Sequence, residues 1–141
     1  MFKASTKFLI VDDFGTMRKI VKKALTDLGY VNAVEAVDGA EAYKFLLEHS
    51  KTDQPFEFVI SDWNMPNMLG IDLLKKCRSE DPFKTIPFML VTAESEQSQI
   101  LEAVKVGVTD YVVKPFSPAM LKAKLENAYK KISGATVSKA A

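Results

Sequence analysis

Five short apolar runs, separated by segments of helical periodicity, constrain this chain more than any other feature. They are Phe8-Leu9-Ile10-Val11, residues 33–37, Phe58-Val59-Ile60, Phe88-Met89-Leu90-Val91 and Tyr111-Val112-Val113. Such a run has no polar face to offer water, so it suits a strand covered on both sides of a sheet. After the first run, Met17, Ile20, Val21, Ala24, Leu25 and Leu28 recur at the spacing of one helical face, with Arg18, Lys19, Lys22 and Lys23 turned away. Gly29 ends that helix. Further helices are predicted over 40–48, 71–79, 95–106 and 118–132, the last with Pro118 in its first turn. Strict βα alternation implies a parallel sheet with right-handed crossovers. The expected fold is therefore α/β, a doubly wound five-stranded parallel sheet with helices on both faces. A single domain is expected over 1–141, with its core at about 7–132 and a flexible Ala/Ser-rich tail at 133–141.

Composition narrows the function classes. At 141 residues and 48% hydrophobic content the chain can bury a sizeable core. A net charge of +1 gives no bias toward nucleic acid or an anionic membrane surface. One cysteine excludes an internal disulfide and suits a reducing compartment. No window approaches the ~20 apolar residues of a membrane span. A cytoplasmic, soluble monomer without membrane insertion is expected.

In open α/β sheets, ligands bind beyond the carboxyl ends of the strands. Four of the five runs end there on a polar residue: Asp12 and Asp13, Asp62, Thr92 and Lys114. Taken singly, each has an ordinary explanation as a helix cap, a turn former or a solvated lysine. Together they place three carboxylates and an ammonium on one edge. Carboxylates so crowded repel unless a cation intervenes. All-oxygen ligation suits a hard ion, and Mg²⁺ takes oxygens at ~2.0–2.1 Å while keeping waters that a phosphate can displace. Asp13 and Asp62 are expected as direct ligands, Asp12 directly or through water, with the backbone carbonyl of Asn64 completing the set. Asp62 then keeps an oxygen for nucleophilic attack on a phosphoryl donor. Lys114 and Thr92 can reach the phosphoryl oxygens.

Val11-Asp12-Asp13-Phe14, Thr16-Met17-Arg18, Ser61-Asp62-Trp63-Asn64-Met65-Pro66-Asn67-Met68, Val91-Thr92-Ala93-Glu94 and Tyr111-Val112-Val113-Lys114-Pro115-Phe116 follow one another in order. In this ordered set the chain resembles the receiver domains of two-component response regulators, and among them the single-domain chemotaxis regulators. The resemblance implies a flavodoxin-like strand order 2-1-3-4-5. It implies that Asp62 accepts a phosphoryl group from a histidine kinase, with Mg²⁺ held by Asp12, Asp13, Asp62 and Asn64. Thr92 would bind the phosphoryl group and shift toward it, and Tyr111 would then swing inward. Trp63 corresponds to a built-in reporter; by packing alone it would be a surface aromatic. Asn64 and Glu94 would tune the phosphoryl lifetime, although Glu94 could equally serve as a helix N-terminal acid. Ile100, Val104, Val108, Tyr111 and Lys124 would form a face that binds the flagellar motor switch protein when phosphorylated. A phosphatase is a further implied partner, and no enzymatic turnover of an outside substrate is expected. His49 reads as a solvated helix-end residue, and Cys77 as core. Leu69 and Gly15 depart from residues common in the family, and the 50–55 loop is long.

The competing readings differ in chemistry. An aspartate-nucleophile phosphatase needs an acid two residues after the nucleophile, where this chain has Asn64. A flavin module would need a neutral phosphate loop, and Asp12-Asp13 would repel its phosphate. Within the family, a phosphate sink or a non-motor single-domain receiver is the alternative.

Overall fold

The structure is a computed structural model describing residues 2–93 and 97–140, with backbone alone for 97 and 133–140. In chain order the elements are β1 (Phe8–Val11), α1 (Gly15–Asp27), β2 (Ala33–Ala36), α2 (Gly39–Ser50), β3 (Phe58–Asp62), α3 (Gly70–Ser79), β4 (Phe88–Thr92), α4 (Gln97–Val106), β5 (Asp110–Val113) and α5 (Pro118–Ala140). The five strands form one sheet in the order β2-β1-β3-β4-β5, every neighbour parallel. The expected α/β doubly wound fold is thus observed, with the order implied by the resemblance.

The pleat explains why the central strands are apolar on both faces. Leu9, Val11, Val59, Phe88 and Leu90 point to one side, where they pack with Ala42 and Leu46 of α2, Ile71, Leu73, Leu74 and Cys77 of α3, and Ala103 of α4. Phe8, Ile10, Phe58, Ile60, Met89, Val91 and Val112 point to the other, against Val21, Ala24 and Leu25 of α1 and Leu121, Leu125 and Ala128 of α5. The central strands β1, β3 and β4 are wholly buried, whereas edge strand β2 is only half-buried.

Helix ends follow local chemistry. Gly29, at φ 97°, closes α1: its N–H donates to Thr26 O and that of Tyr30 to Leu25 O, the paired bonds of a left-handed C-terminal cap. Gly107, at φ 102°, closes α4 in the same way, through Val104 O and Ala103 O. The last helix differs from expectation, because its backbone stays helical through Ala140 rather than stopping at 132. No proline interrupts that stretch, and a single Gly134 costs a helix only ~1 kcal/mol.

Candidate functional site

Sheet register assembles the site. Val11 pairs with Ser61, so Asp12 leaves β1 abreast of Asp62. Asp62 pairs with Val91, which puts Thr92 one step further along β4. Thr92 pairs with Val113, and Lys114 N–H donates to Thr92 O at 2.7 Å. Four neighbouring strands therefore end together on the residues singled out above.

Carboxylate oxygens of Asp12, Asp13 and Asp62 lie within 4.8 Å of one another. Lys114 Nζ stands 3.1 Å from Asp62 Oδ1 and 3.6 Å from Asp12 Oδ2. Asp62 Oδ1 also accepts from Trp63 N–H at 2.9 Å, and Asp12 Oδ1 accepts from Phe14 N–H at 2.9 Å. Asp12 and Asp62 are buried, while Asp13 faces solvent. Burial pushes the Asp62 carboxyl above its ordinary value, and repulsion from Asp12 adds to the rise; Lys114 and Trp63 N–H oppose it. Asp12 is likewise raised, first by burial, against the pull of Phe14 N–H and Lys114. One ammonium does not balance three carboxylates, so the cleft has excess negative charge. Its donors are all oxygen. Such a set fits a hard divalent cation such as Mg²⁺ and disfavours a soft metal that prefers nitrogen or sulfur.

The backbone around these acids is held tightly. Arg18 Nη1 donates to Asp12 O at 2.8 Å, and its Nε to Glu35 Oε1 of β2 at 3.1 Å. Beyond Asp62 the chain makes a compact loop that closes where Gly70 N–H donates to Trp63 O at 2.8 Å. A Cβ on Gly70 would stand 2.1 Å from Asp62 O, so the start of α3 is pressed onto the backbone of the central acid. Only glycine permits that approach.

The remaining expected residues divide into groups. Asn64 is exposed in the loop after Asp62, and Thr92 is buried at the end of β4. Tyr111 and Val108 are half-buried and pack against the core, Ile100 is half-buried, and Val104 is exposed. Lys124 Nζ lies 4.7 Å from the Tyr111 ring centroid and 3.5 Å from Asp110 Oδ1, joining α5 to β5. Glu94 lies outside the described residues. Two expectations are corrected. Trp63 is not a surface aromatic: it is only 6% exposed, because its backbone is drawn inward by the bond from its N–H to Val91 O. His49 is not simply solvated; it is half-buried, its Nδ1 meets Lys7 Nζ and its ring packs 4.6 Å from that of Phe56. Cys77 is core, as expected.

Sequence reasoning passed over Arg18, placing it on the solvent face of α1, and over Asp38 with Asn67. The signal for Asp38 is readable, since Asp38-Gly39-Ala40-Glu41 has the acid–x–x–Glu spacing of a capping box. Its bond to Asn67, 29 residues away, left no local trace.

The fold is a parallel α/β domain with acids from two adjacent strands and a lysine from a third gathered on one sheet edge, the arrangement of a receiver domain. Residues 8–126 match the response regulator receiver domain, and the chain belongs to that family. It is 48% identical over 128 residues to the chemotaxis protein CheY of Pseudomonas aeruginosa, covering 91% of this chain and 99% of that one. It is 50% identical over 126 residues to the chemotaxis protein CheY-3 of Vibrio cholerae, covering 89% and 93%. Among solved structures it is similar to chemotaxis protein CheY4 of Vibrio cholerae, with TM-score 0.76, 35% identity and coverage of 88% and 98%. The chain is thus a CheY-like receiver domain of two-component signalling.

Proposed function

We propose that this protein is a phosphorylation-switched chemotaxis regulator in which Asp62 accepts a phosphoryl group from a histidine kinase. The observation that carries this reading is the meeting of three carboxylates within 4.8 Å of one another, with the Lys114 ammonium 3.1 Å from Asp62. One Asp62 oxygen attacks phosphorus as the P–N bond of the donor phosphohistidine breaks, and the imidazole leaves with the bonding pair. Asp12, Asp13, Asp62 and the Asn64 carbonyl would hold Mg²⁺, which when bound offsets charge on the transferring group. Lys114 donates to a phosphoryl oxygen, as does the Thr92 hydroxyl. Trp63 N–H holds the carboxylate in a fixed orientation, so little reorganisation is needed at the moment of reaction. Asn64 offers no acid to the aspartyl phosphate two residues away, so the group persists as a signal instead of being turned over. The protein is on this reading a switch, not an enzyme with an outside substrate.

The output face is Ile100, Val104, Val108, Tyr111 and Lys124. Its half-buried Tyr111, next to the strand that ends on Thr92, suits an inward swing when Thr92 moves to the phosphoryl group. Glu94 and Asn64 both tune the lifetime of the phosphoryl group. The target is the flagellar motor switch protein, with a phosphatase ending the signal, and the protein acts as a cytoplasmic monomer. The names of its chemotaxis relatives support that setting.

Asp62→Asn should abolish labelling by a small acyl phosphate in Mg²⁺, and chelation of Mg²⁺ should do the same to the parent protein. Undiminished labelling of the variant would remove Asp62 from the reading. A beryllofluoride mimic should raise affinity for a motor-switch peptide, since a ligand shifts a two-state equilibrium only through differential affinity. Equal affinity with and without the mimic would point to a phosphate sink or a non-motor target.

A further inference from the structure

The loop that carries Asn64 is braced from outside by the second helix. Asp38 stands at the N-terminus of α2, where its Oδ1 accepts from Glu41 N–H at 2.8 Å. Glu41 Oε1 in turn accepts from the N–H of Val37, the residue before the cap, at 3.1 Å, so the first turn of α2 is tied to the chain that leads into it. That leaves Asp38 Oδ2 aimed across the cleft edge, where it accepts from Asn67 Nδ2 at 2.8 Å. Asn67 is the described non-glycine residue at positive φ, 68°, a conformation asparagine tolerates better than most. Immediately beside this bond, a Cβ on Gly39 would stand 2.8 Å from Met68 Cβ and 3.1 Å from Met68 O. Helix α2 therefore abuts the loop at two consecutive residues, 67 and 68. The hydrogen bond from Glu41 N–H, and after it the one from the Asn67 amide, hold the Asp38 carboxyl below its ordinary value, so this brace is a charged acceptor throughout the neutral range.

The loop is held at its root by Gly70 N–H to Trp63 O and by Trp63 N–H to Val91 O of β4, and within itself by Met68 N–H to Pro66 O. Met65 is buried in the core, with Ser61 Oγ 4.0 Å from its sulfur. The bond from Asn67 to Asp38 adds a tie from the loop's far side to α2. We propose that Asp38 and Asn67 are positioning residues for cation binding: their bond presets the β3–α3 loop so that Asn64 meets an incoming Mg²⁺ without the loop having to reorder. This rests on the reading of the cleft as a Mg²⁺-dependent acceptor site.

Three variants separate the brace from the fold. Asp38→Ser keeps a helix cap but is too short to reach Asn67. Asn67→Gly keeps the positive φ and removes the carboxamide. Asp38→Asn can still cap α2 and, with the Asn67 amide turned over, still bridge to it. Mg²⁺ affinity is read from Trp63 fluorescence, loop order from hydrogen exchange at Met65 and Met68, and global stability from urea midpoints. Asp38→Ser and Asn67→Gly should each weaken Mg²⁺ about tenfold, the lower end for lost outer partners of a metal site. Exchange in the loop should quicken, the urea midpoint should hold, and Asp38→Asn should restore affinity. Unchanged Mg²⁺ affinity in either Asp38→Ser or Asn67→Gly overturns the proposal, and so does a loss that merely tracks the urea midpoint. Labelling of Asp62→Asn reports separately on the acceptor. Weakened Mg²⁺ in the brace variants, alongside persistent labelling of Asp62→Asn, would keep the brace and discard the acceptor.

Discussion

Three glycines open helices in this protein, and replacing two of them, Gly70 and Gly15, with alanine should have opposite consequences. At Gly70 a Cβ would stand 2.1 Å from Asp62 O and 3.0 Å from Leu90 Cδ2. A comfortable carbon–oxygen contact is about 3.3 Å, so the overlap is about 1.2 Å. The obstructing atom is backbone in the buried central strand, and it cannot turn aside as a side chain would. Overpacking of this kind costs about 1–3 kcal/mol. Relief of glycine's entropic handicap in a helix returns roughly 0.5–1 kcal/mol, which leaves a net loss. With a urea slope of roughly 1–3 kcal/mol per molar, a net loss of about 1 kcal/mol should lower the Gly70→Ala midpoint by about 0.3–1 M. At Gly15 the nearest atom to a Cβ is Arg18 Nη2 at 3.4 Å, the far end of a flexible side chain. Gly15→Ala should therefore be neutral or stabilise by about 0.4–1 kcal/mol. Function should separate them too. A shift of ~1 Å at Asp62 can cost ~10²-fold in rate, so phosphodonor labelling of Gly70→Ala should collapse well beyond its loss of stability. Urea unfolding followed by Trp63 fluorescence, with labelling on the same samples, makes the comparison. A Gly70→Ala protein as stable and as reactive as its parent would refute the close packing of α3 on the strand that ends at Asp62. An equal loss at Gly15 would refute the argument from contact distance.

Other expectations follow from the same cleft. In Lys114→Met, Mg²⁺ should bind roughly tenfold tighter, because the cation competing for Asp12 and Asp62 is gone. Labelling should nevertheless fall about 10²-fold if Lys114 donates to the phosphoryl oxygens as proposed; unaltered Mg²⁺ affinity in a fluorescence titration, or undiminished labelling, would contradict this. The Asp12 and Asp62 carboxyls are raised in the fold, so the unfolded chain ionises first as pH climbs from the ordinary value of 3.8. Their contribution should destabilise the Mg²⁺-free protein progressively as pH rises above that value, and the stability gap between the parent and Asp62→Asn should widen until the folded-state carboxyl has ionised. A gap independent of pH in urea melts would be the wrong sign for a buried, raised carboxyl. Finally, burial pushes the Cys77 thiol up to about 12, so a thiol reagent at neutral pH should modify it only as fast as the protein opens. Rapid modification of the native protein would contradict its place in the core.

What could be read from the chain is what short-range physics writes into it. Unbroken apolar runs such as Phe8-Leu9-Ile10-Val11 must be covered on both faces, and their alternation with amphipathic helices dictates a parallel sheet. Residues at the ends of those runs then share an edge, so Asp12, Asp13, Asp62, Thr92 and Lys114 were legible as a group. Local signals also marked Gly29 as a helix end, which its positive φ and paired cap bonds bear out. Tertiary structure alone decided the rest. A hydrogen bond or a contact between segments distant in sequence leaves no periodicity behind, so nothing in the chain announced that Arg18 holds the Asp12 carbonyl or that Asp38 reaches Asn67. The inward course of Trp63 depends on the register between β3 and β4, which places its N–H against Val91 O. Likewise no local signal singled out Gly70, whose need for glycine arises only because the packing of α3 puts its α-carbon against the backbone of Asp62.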